Sequence, residues 1–383
     1  MKVLVAHNAY LQRGGEDAVV EAETTLLRAH GHEVVDYRRD NAELAAVGAV
    51  RAAAETLWSR RSAAEVARLL QTHRPDVVHV HNTFPRISPS LHWAAAEAGV
   101  PLVQTWHNFR LLCPQAMLLR EGRVCEDCVG RTPWPALRHA CYRGSRAQTG
   151  VLAGMLVLHR VLGTWQDKVA RHVVLNEFCR DKFVAAGLPA GRVVVKPNFV
   201  AAPAEAPDAG ARQGLLFVGR LAPEKGIALL VEAARAGLPA PLTVLGDGPE
   251  AGRLRGVAGI DWRGRQPPPQ VYATMQRAAA LVVPSLWPET FGLVVIEAFA
   301  NGLPVIASRI GALPELVEHG RTGLLFTPGD TQALRHTLRA ALADPAALAR
   351  MGAAARRVYE QRYTPERGLA NLLRVYAEAG AKG

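Results

Sequence analysis

One arrangement recurs along this chain and constrains its fold more than any other. Short runs of apolar, largely β-branched residues, with no polar alternation, end at a glycine or proline turn and hand over to a helix-like stretch. A strand without a polar face has no solvent side, so such runs belong in a parallel sheet covered by helices on both faces. In the first half they fall at residues 2 to 6, near 33 to 37, at 76 to 80 and at 101 to 105, then at Lys168–Leu175 and Val193–Val195. Helical stretches from Glu16 to His30 and from Ala63 to His73 alternate with them. In the second half the runs are Leu215–Arg220, a strand ending in Gly-Arg, a strand within Leu242–Pro249 that ends in a glycine turn, Ala280–Pro284, and a strand that begins at Gly302–Ala307. The class is α/β.

A chain of 383 residues exceeds what one core usually supports. Residues 201–213, rich in proline, glycine and small side chains without periodicity, read as a linker. The expected organisation is a domain over 1–200 with a cysteine-rich insertion at about 110–146, the linker, a domain over 214–362, and a helical segment over 363–383. That last segment either crosses back to the first domain or packs on the second.

Apolar content of 49% argues against a disordered or fibrous chain. Met1–Ala6 reads as a strand and not as an export segment. The longest apolar run, Thr149–Leu158, is broken by His159 and Arg160 and falls short of the roughly 20 residues that span a bilayer. A cytoplasmic protein is expected. The formal charge of +11 suits an anionic partner, or reflects an Arg- and Ala-rich composition alone. No nucleic-acid motif accompanies it, so nucleic acid is not an expected partner.

Ligand chemistry gathers where the second-half strands end. After Ala280–Val283 comes Trp287-Pro288-Glu289-Thr290-Phe291-Gly292, and a helix is expected from about Phe291, with Glu297 a turn or two inside it. Loops at the carboxyl ends of such strands face a ligand crevice. Backbone N–H groups near the helix start suit an anion, and the carboxylates suit sugar or ribose hydroxyls. Arg220 and Lys225 follow another strand and can neutralise a diphosphate. Gly246-Asp247-Gly248-Pro249 and Gly311-Ala312-Leu313-Pro314-Glu315 add two glycine loops. Together they point to an anionic, polyhydroxylated ligand.

With Gly219-Arg220, Glu224-Lys225-Gly226, Gly246-Asp247-Gly248-Pro249 and Glu289 to Glu297 as E-x7-E, residues 214 to 330 resemble the retaining glycosyltransferases of the GT4 family. The resemblance implies the GT-B fold, two Rossmann-like parallel-sheet domains facing across a cleft, with the acceptor-side domain first and the nucleotide-sugar domain second. It implies transfer of a sugar from a nucleotide-diphospho-sugar, UDP preferred over GDP, with retained configuration, to a lipid-linked or cell-surface glycan acceptor. An anionic membrane surface is then a further expected partner. No divalent catalytic metal is expected, and the oligomeric state is not readable. Arg220 and Lys225 would stabilise the leaving diphosphate, which itself accepts the acceptor's proton. Glu289 would orient the donor sugar with backbone N–H groups near Phe291 and Gly292, and Glu297 would hold the ribose. Gly15, after the first strand, would lie by the donor's phosphates. Where the family has Pro-Asn-Gly, this chain has Pro197-Asn198-Phe199, so that turn need not be the same. Arg263-Gly264-Arg265 lies where a base-contacting loop is plausible. A sugar-nucleotide epimerase or hydrolase of the same fold, or a silent nucleotide-binding scaffold, are the alternatives.

His79 and His81 share a strand face and His107 follows the next strand, a spacing open to a metal site or to structural roles. The resemblance matches His107 to a cleft histidine that hydrogen-bonds the transferred sugar. Cys113, Cys125, Cys128 and Cys141 surround a C-x2-C knuckle, whose readings are structural zinc, free or redox-active thiols, or disulfides. Arginines and aromatics in that segment suit an anionic acceptor, or only a stabilised lid.

Overall fold

The computed structural model describes residues 1–11, 14–203 and 212–381. The expected 201–213 linker therefore lies largely outside the described residues. The chain divides into two compact units, one formed by Met1–Leu118, Cys125–Pro197 and Gly368–Gly383, the other by Leu119–Val124 and Asn198–Arg367.

The first unit is built on β1 (Lys2–Ala9), β2 (Glu33–Asp40), β3 (Val77–Val80) and β4 (Leu102–Thr105). A short antiparallel hairpin within the cysteine-rich segment, β5 (Leu119–Arg120) with β6 (Arg123–Val124), belongs to the other unit, and β7 (Arg171–Val174) and β8 (Val193–Val195) complete the first sheet. Its order is β2-β1-β3-β4-β7-β8, with every pair parallel. The unbroken apolar strands have the consequence expected of them. Leu4, Ala6, Val78, Val80 and Leu102 pack on one face with Val66 and Leu70 of the helix Arg60–His73. The alternate residues Val3, Val5, Val77, Val103 and Val173 pack on the other with Val20 and Leu27 of the helix Gly15–Ala29. That second face is completed by Leu372, Val375 and Tyr376 of the helix Pro365–Glu378, all fully buried.

The second unit carries β9 (Leu215–Val218), β10 (Leu242–Leu245), β11 (Ile260–Trp262), β12 (Ala280–Val283), β13 (Val305–Ser308) and β14 (Gly323–Phe326). The order β11-β10-β9-β12-β13-β14 is again parallel throughout. Successive strands run outward from β9 in one direction, then the chain crosses to β12 and runs outward in the other. The strand order reverses between β9 and β12, and such reversal points are where open α/β sheets bind ligands.

Local boundaries depart from the sequence expectation in ways the backbone explains. Lys168 caps the short helix Thr164–Asp167, so the strand expected from Lys168 starts at Arg171. The helix expected from about Phe291 starts at Leu293, because Gly292 at φ +93° breaks the turn before it. The apolar run Thr149–Leu158 lies in a helix, Arg146–Val161, whose Ser145 side chain accepts from the Gln148 N–H. No helix among the described residues is long and apolar enough to cross a membrane.

Burial of Leu372 against the sheet of the first unit makes a direct test. Leu372→Ala should lower the stability of that unit by about 2–5 kcal/mol, as expected for a Leu-sized core cavity. Chemical denaturation followed by the unit's tryptophan fluorescence measures it, and a change within about 0.5 kcal/mol would contradict the packing.

Candidate active site

In the second unit, the loops after β9 and β12 flank the reversal point. Lys225, in the first loop, places Nζ 2.6 Å from Oε1 of Glu289, in the second. The Ser285 hydroxyl donates to the same oxygen at 2.7 Å. Glu289 is buried, whereas the Lys225 side chain keeps 27% of its exposure, so the ammonium remains open to a ligand. It also lies 5.3 Å from the Trp287 ring centre, a cation–π distance. Arg220 is more exposed and its guanidinium bonds the Glu224 carboxylate.

Backbone contacts tie these loops together. The Leu286 N–H donates to the Glu224 carbonyl at 2.8 Å, and the Ala312 N–H to the Glu289 carbonyl at 3.0 Å. Gly226 has φ +76°, and a Cβ there would stand 2.0 Å from the Pro284 carbonyl oxygen, so only glycine lets the loops come this close. Gly246 plays the same part at the neighbouring edge: its Cβ would meet the Gly219 carbonyl oxygen at 1.9 Å. The Gly246 N–H donates to the Gly264 carbonyl at 2.8 Å, which brings Arg263-Gly264-Arg265 beside that glycine turn.

Phe291 is buried edge-on against Tyr363, so this residue offers a ligand only its backbone. Gly292 is the N-cap of the helix Leu293–Ala300, and Glu297 sits in its second turn. Burial pushes the Glu297 carboxyl up to about 7, and the same charge helps raise the Tyr272 hydroxyl, after burial, to about 12.

The first unit holds a second group of predicted residues. Gly15 opens the helix Gly15–Ala29, one residue after Gly14, whose N–H donates to Asp17 Oδ2 at 2.8 Å; Gln12 and Arg13 of that loop lie outside the described residues. His79, His81 and His107 do converge. The His81 and His107 rings stack at 5.2 Å, with His81 Nδ1 2.9 Å from His107 Nε2. Burial, joined by the Lys196 charge, holds both imidazoles well below the ordinary histidine range. They are neutral at pH 7. A pocket beside them is lined by Gln104, Asn108 and Arg110 together with the Phe84 and Trp106 rings.

Two acidic residues of the Gly15–Ala29 helix escaped the sequence reading. Glu16 accepts from the Tyr10 hydroxyl at 3.1 Å and the Asn108 amide at 3.4 Å, and burial raises its carboxyl to about 7. Glu23 is buried, pairs with the fully buried Lys196 at 2.6 Å, and brings its other oxygen within 3.7 Å of His81 and 3.9 Å of His79. Their signal was present in part: Glu23 shares the buried face with Val20 and Leu27 at helical spacing.

Glu23, His79 and His81 offer ligand atoms within 4.8 Å of one another. Their chemistry does not favour a cation there. Lys196 holds the carboxylate, and both ring nitrogens of His79 are engaged at 2.8 Å, by the Tyr376 and Thr105 hydroxyls. Among the cysteines, Cys128 feels Cys113, Cys141 and Cys125 electrostatically, and burial first, then these neighbours, push its thiol up to about 11. Among the described residues no three thiol sulfurs meet the closeness of the Glu23 group. The Cys125–Cys128 knuckle is braced by Lys182, whose Nζ lies 2.6 Å from Glu126.

Comparison with known proteins fits this geometry. The family model for glycosyl transferases group 1 matches residues 205–358, and that for a glycosyl transferase 4-like domain matches residues 9–198. The chain is 30% identical over 348 residues to the D-inositol 3-phosphate glycosyltransferase of Mycolicibacterium smegmatis, covering 83% of this chain and 72% of that one. It is 39% identical over 153 residues to glycogen synthase of Mycobacterium tuberculosis, 37% of each chain, so it spans little more than a third of that relative. Among solved structures, sucrose-phosphate synthase from Thermosynechococcus elongatus superposes with a TM-score of 0.74 at 19% identity, covering 99% of each chain. HepE of Anabaena in complex with UDP gives 0.69 at 18% identity, over 98% of this chain and all of that one. At those identities the likeness is one of fold.

The raised Glu297 carboxyl gives a prediction with a definite sign. Glutamate in an unfolded chain ionises near about 4.3. A folded-state value near 7 means the neutral acid favours the fold below the unfolded value, and this contribution is lost as pH rises through 7. Glu297→Gln, which cannot ionise, should melt higher than the parent at pH 8 and show no such advantage at pH 4. Equal melting differences at both pH values would show that Glu297 is not held neutral by burial.

Proposed function

Because the chain belongs to the group 1 glycosyltransferases, we propose that it transfers a sugar from a UDP-sugar, with retention of anomeric configuration, to a phosphorylated or lipid-linked glycan acceptor. The observation that carries this reading is the Lys225–Glu289–Ser285 constellation at the strand-order reversal of the second unit, with Arg220 on the same loop as Lys225. A cation held beside a buried carboxylate is already in place for a diphosphate and loses little freedom when one binds. Charge on the diphosphate grows as the glycosidic bond breaks, so Lys225 and Arg220 act more strongly in the transition state than before it. Glu289, fixed through one oxygen, keeps acceptor capacity for a donor-sugar hydroxyl. Glu297 holds the nucleotide ribose, backbone N–H groups near Phe291 and Gly292 meet the donor, and Gly15 serves the phosphate region. His107 accepts from a hydroxyl of the transferred sugar.

UDP is preferred over GDP because HepE of Anabaena, which shares the fold, is seen with UDP and with UDP-glucose. The relatives named for D-inositol 3-phosphate support a phosphorylated acceptor. So does the first unit, where the Arg110 guanidinium lies 4.4 Å from the Phe84 ring centre and Arg143 lies 5.3 Å from that of Tyr142. Exposed Trp134 and Val161, in an arginine-rich stretch, suit a protein working at an anionic membrane surface. Replacing Arg220 or Lys225 with Ala should lower turnover under saturating UDP-sugar on the order of 10²-fold. Unchanged turnover in both variants would overturn the assignment of the diphosphate clamp.

The four thiols are assigned to a structural zinc ion. Cys113, Cys125 and Cys141 lie near enough to act electrostatically on Cys128, and four thiolates suit a tetrahedral divalent cation. Zinc would draw Cys113, Cys125, Cys128 and Cys141 together and fasten the long segment between β4 and β7, without entering the reaction. Elemental analysis of protein purified without chelator should find about one zinc per chain, and Cys125→Ser with Cys128→Ser should lose it. Full protein with four titratable thiols and no zinc would refute the site.

A further inference from the structure

We propose that the second unit carries a further binding site, for a small phosphomonoester, between its sheet and the helix Pro268–Arg277. The inference does not rest on the transfer reaction, and none of the residues given a part in that reaction lines this site.

The site arises where the cover of the sheet stops. On one face Phe217, Leu242 and Val244 are buried against Ile227 and Leu230 of the helix Ile227–Arg235. On the other face Leu216 is wholly buried, but Thr243, its register partner on β10, keeps part of its surface, and Asp261, the next partner on β11, is exposed. A strand covered on both faces is apolar throughout, so a threonine and then an aspartate in this row mark the limit of the cover. Beside the helix Pro268–Arg277 this leaves a cavity of about 240 Å³, floored by Leu216 and Thr243. Ala273, Thr274 and Arg277 of the helix form one wall, and Arg263, just after β11, forms another. The walls are fixed. The Gln213 N–H donates to the Arg277 carbonyl at 2.8 Å and the Arg212 guanidinium to the Met275 carbonyl at 3.0 Å, which ties the end of the helix to the start of β9.

The lining selects the charge of the occupant. Nε and one Nη of Arg263 both bond Asp261 Oδ2 at 2.7 Å, which turns the side chain back along β11 and offsets the aspartate. A guanidinium has five N–H groups, so three remain. The Arg277 guanidinium and the Thr243 hydroxyl have no polar partner among the described residues, and Gln213 adds an amide. No carboxylate lines the cavity. A wall of cations and donors is matched by a group that is anionic and rich in acceptor oxygens, and the arginine fork suits phosphate. The apolar side chains of Leu216, Ala273 and Ala278 are left for a short carbon skeleton. Size decides how short: drug-sized ligands occupy roughly 300–1,000 Å³, so this cavity takes a phosphorylated monosaccharide or polyol and is too small for a whole nucleotide-sugar.

Calorimetric titration of ribose 5-phosphate into the full chain, with the UDP site saturated, tests this, and ribose is the uncharged control. The proposal predicts one equivalent of ribose 5-phosphate bound per chain and no binding of ribose. Arg277→Ala should weaken binding on the order of 10-fold. Ala273→Phe, which keeps both guanidiniums but fills the cavity, should weaken it at least as much, and both variants should melt near the parent. Arg220→Ala with Lys225→Ala should bind ribose 5-phosphate as the parent does. No binding in the millimolar range, or equal binding of ribose, would overturn the site. Binding that survives both Arg277→Ala and Ala273→Phe would overturn it too, as diffuse attraction to a chain of net charge +11. Binding lost in Arg220→Ala with Lys225→Ala would assign the phosphate to the UDP loops instead.

Discussion

The contact on which the candidate site depends is the ion pair between Lys225 and Glu289. It joins the loops after β9 and β12, the two strands between which the order of the second sheet reverses. Glu289 is buried, and a buried carboxylate without its partner is costly, by several kcal/mol in comparable cases. The Lys225 ammonium carries three protons, so its bond to Glu289 leaves capacity for phosphate oxygens. Gly226 lets the loop that carries Lys225 pass almost in contact with the Pro284 carbonyl, and Gly246 allows the same beside Gly219. The geometry of ligand binding and the packing of the sheet edge are thus one constraint.

The first unit solves a different problem. Its sheet packs against an apolar cluster on each face, yet the Gly15–Ala29 helix carries Glu23 into that interior, where Lys196 meets it. An isolated buried charge would be expelled or neutralised, so the pair is kept only with its hydrogen-bond partners around it. The Tyr376 hydroxyl at His79 brings the C-terminal helix into the same group. Polar residues here specify how the helix, the strand ends and the C-terminal helix meet, a task that interchangeable valines and leucines do less well.

Most of the architecture was legible because β1, β3, β4, β9, β10, β12 and β13 are short, predominantly apolar runs without polar alternation, a pattern with few alternative folds. Arg220, Lys225 and Glu289 could be singled out for a related reason, since each lies in a loop that follows a strand, and Glu297 through its place in the helix after one of those loops. What stayed hidden needed distance information. Lys225 and Glu289 are sixty-four residues apart, and Ser285 joins them through a hydroxyl that reads as ordinary turn chemistry. Glu23 lies 173 residues from Lys196, so neither could be paired from spacing. The edge-on packing of the Phe291 ring against Tyr363 was not readable either, although only its backbone N–H had been expected to meet a ligand. The thiols show the converse: spacing suggested a metal site, while their mutual approach depends on folding of the whole segment.

The central claim is that a nucleoside diphosphate binds across the β9–β12 reversal of the second unit. Hydrogen–deuterium exchange with and without UDP tests it without reference to acceptor or turnover. The account predicts slowed exchange in peptides covering residues 219–226 and 284–297, with the helix Thr331–Ala343 unchanged. Protection absent from both loops at saturating UDP, or confined to another part of the chain, would contradict it.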